Sequence, residues 1–277
     1  LFRIGLEHCR ARDYDMCEAT MRRVVSLDKQ LRGRAIKLQV WANAQKNTGN
    51  EKPFPDIGVE ETLREYKINY TEPDQLEEEV ARRLADGELI GWFQGGLEMG
   101  PRALGNRSIL ADPRSTDSLD RVNEFVKHRE PWRPFAPSLL ESAAEEYLIN
   151  ASPAPDMIKT FDVYDEKKDE ISAVLHPADG TTRPQTVRED QNRRYHTLLC
   201  EFERITNVPV LLNTSFNDSG EPLVNTPTEA IKDFFGMGLD TLVLGDVTVE
   251  KPIRDDREKI RSEEPVRKTS ADDTIEN

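Results

Sequence analysis

A helical pattern of apolar residues precedes a continuous apolar run in the first clearly patterned part of the chain. Leu76, Val80 and Leu84 recur at intervals of four, which predicts a helix that stops near Gly87. The run from Leu89 to Phe93 follows and predicts a strand.

Short apolar segments continue this alternation. The sequence "RSIL" predicts a second strand, and Ser115 or Thr116 is suited to cap a helix that buries Leu119, Val122 and Phe125. Beyond an acidic loop, "ISAVLH" and "RPQTVR" each predict a strand. A further predicted helix carries its apolar face on Tyr195, Leu198, Leu199, Phe202 and Ile205.

The clearest unit is a β-α-β pattern near the carboxyl end. It consists of "VPVLLNT", the helix "TPTEAIKDFFGM" and "DTLVLGDVTV". Thr226, Pro227 and Glu229 form a capping-box signature at the start of this helix. Together these elements predict an α/β domain with a mixed twisted sheet and helices over residues 74–251.

The remaining parts of the chain differ in character. Residues 1–50 have apolar residues at helical spacing and predict a short helical segment to which no chemistry attaches. Residues 51–73 contain three prolines and read as a linker. Residues 252–277 are charged and lack an apolar period, which predicts a disordered acidic tail.

Charge is distributed unevenly along the 277 residues, whose formal net charge is -14. Residues 1–50 carry ten Lys or Arg and five Asp or Glu, a balance of +5, which leaves -19 for residues 51–277. Such a surface would repel phosphates, so general nucleic-acid binding is not expected. The acidic, lysine-poor composition also suggests a salt-loving source as a hypothesis.

Neither a membrane segment nor a cysteine framework is indicated. No run of 18 apolar residues occurs, and the first 30 residues lack a signal-peptide pattern, which predicts a soluble, cytoplasmic protein. The three cysteines have no CxxC spacing and are expected to be reduced thiols.

A stretch rich in glycine and arginine, "GWFQGGLEMGPRALGNR", includes the end of the first predicted strand. Its glycines permit positive φ and close backbone approach, and Pro101 fixes the chain just before Arg102. The guanidinium groups of Arg102 and Arg107 suit phosphate or carboxylate oxygens. A tight turn with surface arginines is the alternative, since neither a Walker-type nor a dinucleotide-binding glycine motif is present.

A second cationic cluster, "VKHREPWRPFAPS", places Lys127, Arg129 and Arg133 among three prolines. Residues 100–135 carry seven Lys or Arg and five Asp or Glu, a balance of +2 inside a strongly negative domain. Local positive potential marks a place for an anionic ligand. The alternative is a proline-rich surface loop with cations at a helix end.

Two further polar segments are candidates for ligand contact. Arg183 and Gln185 lie two apart on a predicted strand and therefore on one face. Asn213 and Asn217 end a buried strand ahead of a helix, where open α/β folds place ligands, although Asx-turns are the alternative. The absence of HxxxH, HExxH and GxSxG spacing argues against a metal site and a serine nucleophile in this chain.

These four stretches, in this order, resemble the carboxyl-terminal domain of the NodU/CmcH-type carbamoyltransferases over about residues 74–251. The motifs are "GWFQG..E.GPRALGNRSILADPR", "VKHRE..RPFAPS" and "NTSFN..GEP.V.TP". The resemblance implies a YrdC-like fold and formation of carbamoyl-adenylate from carbamoyl phosphate and ATP, with Mg²⁺ accompanying the ATP. It also implies a partner domain, an amino-terminal domain of the actin-like ATPase type, which holds a metal and transfers the carbamoyl group to an acceptor hydroxyl.

The resemblance also assigns expected roles to residues. It implies that Arg102, Arg129 and Arg183 hold carbamoyl phosphate, the ATP phosphates or the adenylate. More weakly, the same pocket is expected to contain Lys127, Arg107, Arg133, Asn213, Asn217 and Gln185. Two positions depart from the family pattern: Gly96 stands where Arg or Lys is usual, and Pro177 stands where His is usual.

Two other functions remain open from the sequence. Residues 1–73 do not resemble the large amino-terminal domain, so a truncated, non-catalytic module that binds nucleotides or anions is one alternative. A threonylcarbamoyl-adenylate synthase, which shares the implied fold and chemistry, is the other. The "GPRALGNR" signature and the acidic surface argue against the second alternative.

Overall fold

The computed structural model describes residues 58–98, 100, 102–127, 130, 133–218 and 220–251. The predicted helical segment 1–50, the predicted tail 252–277 and the candidate Arg129 lie outside the described residues. Predictions that concern them stay predictions.

Helices and strands alternate through the described part of the chain. The helices are α1 (Val59–Glu65), α2 (Leu76–Ala85), α3 (Thr116–Val122), α4 (Ala144–Tyr147), α5 (Arg193–Thr206) and α6 (Pro227–Gly236). The strands are β1 (Ile90–Phe93), β2 (Arg107–Ala111), β3 (Ala136–Leu140), β4 (Phe161–Asp162), β5 (Thr181–Thr182), β6 (Gln185–Val187), β7 (Val210–Ser215), β8 (Thr241–Leu244) and β9 (Val247–Glu250).

Seven of these strands form one mixed sheet in the order β6-β3-β7-β2-β1-β8-β9, and β4 pairs with β5 separately. β1 is antiparallel to β2 and parallel to β8. β7 lies between β2 and β3 and is antiparallel to both. The prediction of an α/β domain built on a mixed sheet is confirmed.

The sheet is covered on both faces at its centre. Every residue of β1, β2 and β3 is buried, as expected of strands that have packing partners on both sides. α2 and α5 pack against each other, and Leu84 and Phe202 from these helices belong to the core.

The predicted β-α-β unit forms from β7, α6 and β8. The chain directions in the sheet make β7 parallel to β8, with β2 and β1 between them. The capping box is present: the Thr226 hydroxyl accepts from the Glu229 N–H, and the Glu229 carboxylate accepts from the Thr226 N–H, both at 3.2 Å.

The helix predicted near Ser115 forms, but its buried face is shifted. Ser115 is the N-cap and accepts a hydrogen bond from the Asp117 N–H at 3.1 Å. α3 continues as a π-helical turn, Asn123–Lys127, in which Val126 is buried and Phe125 is 47% exposed. The predicted burial of Phe125 is therefore wrong, because the 3.6-residue period does not hold through a π turn.

Three other local predictions need correction. Most of "ISAVLH" belongs to a 3₁₀-helical segment, Asp169–Val174, since a short apolar run fits a buried helical turn as well as a strand. Ile205, in the last turn of α5, is 37% exposed. The predicted linker 51–73 contains α1, whose Leu63 is fully buried in the core.

Candidate functional site

The candidate residues gather at one end of the seven-stranded sheet. β1 ends there at Phe93, which is paired with Arg107 at the start of β2. β7 ends there at Ser215, and β6 begins there at Gln185, paired with Ser138 of β3. The connection between β1 and β2, residues 94–106, is called the arginine loop below; its Met99 and Pro101 lie outside the described residues.

Glu98 holds the arginine loop from inside. Its Oε1 accepts from the backbone N–H of Leu104 at 2.6 Å and of Asn106 at 2.7 Å, and its Oε2 accepts from the N–H of Arg107 at 3.3 Å. Burial raises the pKa of the Glu98 carboxyl to about 6, although these hydrogen bonds and the charge of Arg107 act in the opposite direction.

Two buried amides hold the same loop from the sheet. Asn213, which is 2% exposed, donates to the Ala103 carbonyl at 3.2 Å, and Gln185 donates to the Leu104 carbonyl at 2.9 Å. Ser138 links the two amides: its Oγ donates to Gln185 Oε1 at 2.7 Å and accepts from Asn213 Nδ2 at 2.9 Å. The two residues directly after Arg102 are thus fixed to β6 and β7.

Gly105 packs tightly against α5. Its φ is +98°, and a β carbon there would lie 2.3 Å from Cδ1 of the Tyr195 ring. The Gly105 carbonyl accepts from the Trp92 indole N–H at 2.8 Å. Only glycine fits this position, because both the backbone conformation and the space exclude a side chain.

Arg107 holds the arginine loop through its side chain. Arg107 is 2% exposed, and its guanidinium group lies 3.6 Å from the centroid of the Phe93 ring and donates to the carbonyls of Gln94, Gly95 (3.1 Å) and Asn106 (3.0 Å). These contacts give Arg107 a structural role. Its predicted contact with substrate stays a prediction.

The charge of Arg102 acts on Arg183, so the two side chains are neighbours in the fold although they are 81 positions apart in the chain. Burial, and after it the charge of Arg102, lower the pKa of the Arg183 guanidinium group. Arg183 Nη1 donates to the Met157 carbonyl at 2.6 Å, and Arg102 is exposed. Throughout the described residues, no carboxylate forms an ion pair with either arginine.

Lys127 fixes the segment that follows β7. Its Nζ donates to the carbonyls of Ser215 at 2.6 Å and Asn217 at 2.9 Å, and to Asn217 Oδ1 at 3.0 Å. Asn217 in turn donates to the Glu221 carbonyl at 2.7 Å. Both residues lie at the same end of the sheet as the arginine loop.

Arg133 is exposed and lies three positions before β3, next to residues outside the described set. Seven of the predicted site residues lie together at one end of the sheet: Arg102, Arg107, Lys127, Arg183, Gln185, Asn213 and Asn217. Among the residues that the structure describes, the Arg133 side chain forms no hydrogen bond or ion pair.

Sequence reasoning missed two polar residues that shape this site, and it did not give the contacts of a third, Glu98, which it had considered as a residue that orients an arginine. Ser138 stands out only as a hydroxyl inside the apolar strand β3. Asn192 caps α5 and also donates to Asn106 Oδ1 at 3.1 Å, which joins the helix to the loop. Glu98 was visible in the motif, but its acceptance of three backbone N–H groups had no sequence signal.

In the part of the chain that the structure describes, no group of three or more His, Cys, Asp or Glu side chains is arranged to hold a metal ion. None of the described helices combines the length and apolar character needed to cross a membrane.

Comparison with known proteins identifies relatives. The family model "Carbamoyltransferase C-terminus" matches residues 81–251. The chain is 42% identical over 206 residues to nodulation protein NolNO of Sinorhizobium fredii, covering 71% of this chain and 30% of that protein. It is 36% identical over 174 residues to 3'-hydroxymethylcephem-O-carbamoyltransferase of Amycolatopsis lactamdurans, covering 63% and 33%. The chain thus spans about a third of the length of these relatives.

A solved structure is also similar. Full-length HypF in its phosphate- and nucleotide-bound form aligns with 66% of this chain and 22% of its own, at 16% identity and a TM-score of 0.43, which is too low to carry an argument. The sequence match is decisive by contrast, because it covers more than half of the chain and includes both the arginine loop and the polar end of β7. The chain therefore belongs to the Carbamoyltransferase C-terminus family.

Proposed function

We propose that this chain is the carboxyl-terminal portion of a carbamoyltransferase and that it binds carbamoyl phosphate and ATP beside the arginine loop. Family membership supports the carbamoyl-transfer part of the proposal. The observation that carries the site is the proximity of Arg102 and Arg183, which have no carboxylate partner among the described residues. Two neighbouring cations repel each other, and a bound anion would offset this repulsion.

The proposed reaction explains why such a site would be cationic. Carbamoyl phosphate, ATP and water give carbamoyl-adenylate, phosphate and pyrophosphate. The two substrates are polyanions, so catalysis depends on positioning and charge stabilisation more than on a protein nucleophile. Guanidinium groups contact two phosphate oxygens at once, and Mg²⁺ enters with ATP as the counter-ion of its phosphates.

Transfer to an acceptor hydroxyl is proposed to require a further domain. The chain spans about a third of its relatives, so the acceptor pocket is expected in the amino-terminal domain of the actin-like ATPase type. That domain is proposed to act in the same protein or as a separate chain. Localisation in the cytoplasm and the lack of nucleic-acid partners stay predictions from the sequence.

The test is release of pyrophosphate by the purified full chain with ATP, Mg²⁺ and carbamoyl phosphate, at low and high salt. The wild-type chain is expected to release pyrophosphate only when carbamoyl phosphate is present. Arg102→Gln should lower this rate by about 100-fold, since a charge-assisted contact contributes about 1.5 to 3 kcal/mol and both binding and chemistry depend on it. The matched control is Arg64→Gln, whose side chain is 72% exposed on α1.

Three outcomes would contradict the proposal in different ways. Binding of ATP without any release of pyrophosphate would favour a non-catalytic module. Threonine-dependent release would favour a threonylcarbamoyl-adenylate synthase. An unchanged rate in Arg102→Gln would mean that the reaction occurs elsewhere than beside the arginine loop.

A further inference from the structure

We propose that Glu98 is a positioning residue for Arg102 and that it acts through the backbone of the arginine loop as a hydrogen-bond acceptor, not as a charge. The inference rests on the proposed function, because Arg102 is its proposed anion-binding residue. It assigns to Glu98 a task that family membership does not specify.

The geometry of the carboxylate supports this role. Both short hydrogen bonds end on one oxygen: Oε1 accepts from Leu104 at 2.6 Å and from Asn106 at 2.7 Å. Leu104 is two residues after Arg102, so this acceptor fixes the segment on which the arginine stands. Backbone N–H groups that are partly withdrawn from water need an acceptor, and Glu98 supplies it to both.

Glu98 does not act on Arg102 by pairing with it. No hydrogen bond or ion pair joins the two side chains among the residues that the structure describes. The route from Glu98 to Arg102 therefore runs along the peptide backbone. This distinguishes Glu98 from a glutamate that orients a guanidinium group by direct contact.

The opposite side of the segment is held by different groups. Asn213 and Gln185 donate to the carbonyls of Ala103 and Leu104. These amides satisfy acceptors, whereas Glu98 satisfies donors. Removal of Glu98 would thus leave the N–H groups of the segment without a partner although the carbonyls stay bound, which would favour a rearranged loop.

Acceptor geometry, and not charge, is the feature that the protein needs. Burial raises the pKa of Glu98 to about 6, so the site disfavours the charged form relative to water, although the carboxyl is still mostly ionised at pH 7.5. The charged and titratable groups facing the carboxylate are Arg107 from β2 and Tyr195 from α5. A neutral carboxyl or carboxamide group retains one carbonyl oxygen, which is enough for the two short bonds.

The test compares two neutral replacements of similar size in the full chain. Glu98→Gln keeps a carbonyl oxygen at the position of Oε1, and Glu98→Met keeps the length but has no comparable acceptor. Each is made alone and together with Arg102→Gln, and sulfate affinity is measured by calorimetric titration at pH 7.5. Sulfate is the probe because its charge does not change near pH 7.5. Glu98→Gln and Glu98→Met change the charge of the protein equally.

The expected result is that the effect of Arg102→Gln on sulfate affinity depends on the residue at position 98. Arg102→Gln should weaken sulfate binding about tenfold in the wild-type and Glu98→Gln backgrounds, and less than about twofold in the Glu98→Met background. An equal loss in all three backgrounds would overturn the inference, because Arg102 would then be positioned without Glu98. Loss of the Arg102 effect in both replacements would also overturn it, by making the charge essential.

A further replacement, Glu98→Asp, is used if Glu98→Met does not fold. Glu98→Asp keeps the charge and shortens the side chain by one methylene, which withdraws the acceptor from Leu104 and Asn106. The Arg102 effect is expected to fall below about twofold in this background, and a full tenfold effect would overturn the inference. If Arg102→Gln has no effect in the wild-type chain, the proposed anion site itself fails, which is a separate result.

Discussion

The ring of Tyr195 lies against the backbone of Gly105, with Cδ1 2.3 Å from the place that a β carbon would occupy. Tyr195 is fully buried near the start of α5, and Gly105 stands at the end of the arginine loop. The contact therefore sets how closely the loop can approach the helix layer.

A methyl group at Gly105 should consequently destabilise the domain. Gly105→Ala is expected to lower the free energy of unfolding by at least about 3 kcal/mol, because it combines a clash with an aromatic ring and a strained positive φ. Urea denaturation measures the change. Gly236→Ala is the control: it lies in α6 with no atom within 4 Å of the added carbon, and it should be neutral or stabilising by up to about 1 kcal/mol.

The burial of Arg107 leads to a second prediction. Arg107→Lys should destabilise the domain by about 2 to 3 kcal/mol, since an ammonium group cannot reach three carbonyls and stack on Phe93 at once. The thermal midpoint of unfolding is the measurement. Arg193→Lys, at a side chain that is 82% exposed, should change it little, and an equally small effect at Arg107 would contradict the structural role assigned to it.

The raised pKa of Glu98 predicts a pH dependence of stability. The folded protein holds the proton more tightly than the unfolded chain, so the stabilisation from this group is present below pH 4.5 and is lost as the pH rises through about 6. Relative to the wild type, Glu98→Gln should therefore gain about 2 kcal/mol between pH 4.5 and pH 7. Paired denaturation curves at several pH values test this, and a constant difference would refute the shift.

Arg183 offers a prediction about activity rather than stability. Arg183→Gln should raise the KM for carbamoyl phosphate by about 10- to 100-fold, because one charge-assisted contact is removed. The loss of its hydrogen bond to Met157 and the relief of repulsion from Arg102 oppose each other, so stability should stay within about 1 kcal/mol. Steady-state kinetics and a thermal melt separate the two effects, with Arg64→Gln as the control.

Much of the fold was predictable because its patterns are local. The apolar run that became β1, the alternation of β7, α6 and β8, and the capping box at Thr226 all depend on neighbours in sequence. The resemblance to the carbamoyltransferase family implied that Arg102, Arg183 and Asn213 share a pocket, and the rule for strand ends separately indicated Asn213 as a ligand contact.

The errors and omissions have physical causes that local patterns do not contain. A π turn after α3 moved the buried position from Phe125 to Val126. No sequence pattern distinguished the roles of the two arginines: Arg107 donates to backbone carbonyls, whereas Arg102 is exposed. Both outcomes depend on the path of the loop, which is fixed by residues far away in sequence such as Gln185 and Asn213.

The parallel pairing of β1 with β8 has a consequence for folding of the chain during its synthesis. Directly before β1 the Leu89 N–H donates to the Asp240 carboxylate, a separation of 151 residues. During synthesis β1 therefore cannot complete its pairing in the sheet until β8, near the end of the domain, has left the ribosome. Such long-range closure slows folding and exposes unpaired strand edges, so the nascent chain is expected to depend on chaperones until β8 has emerged.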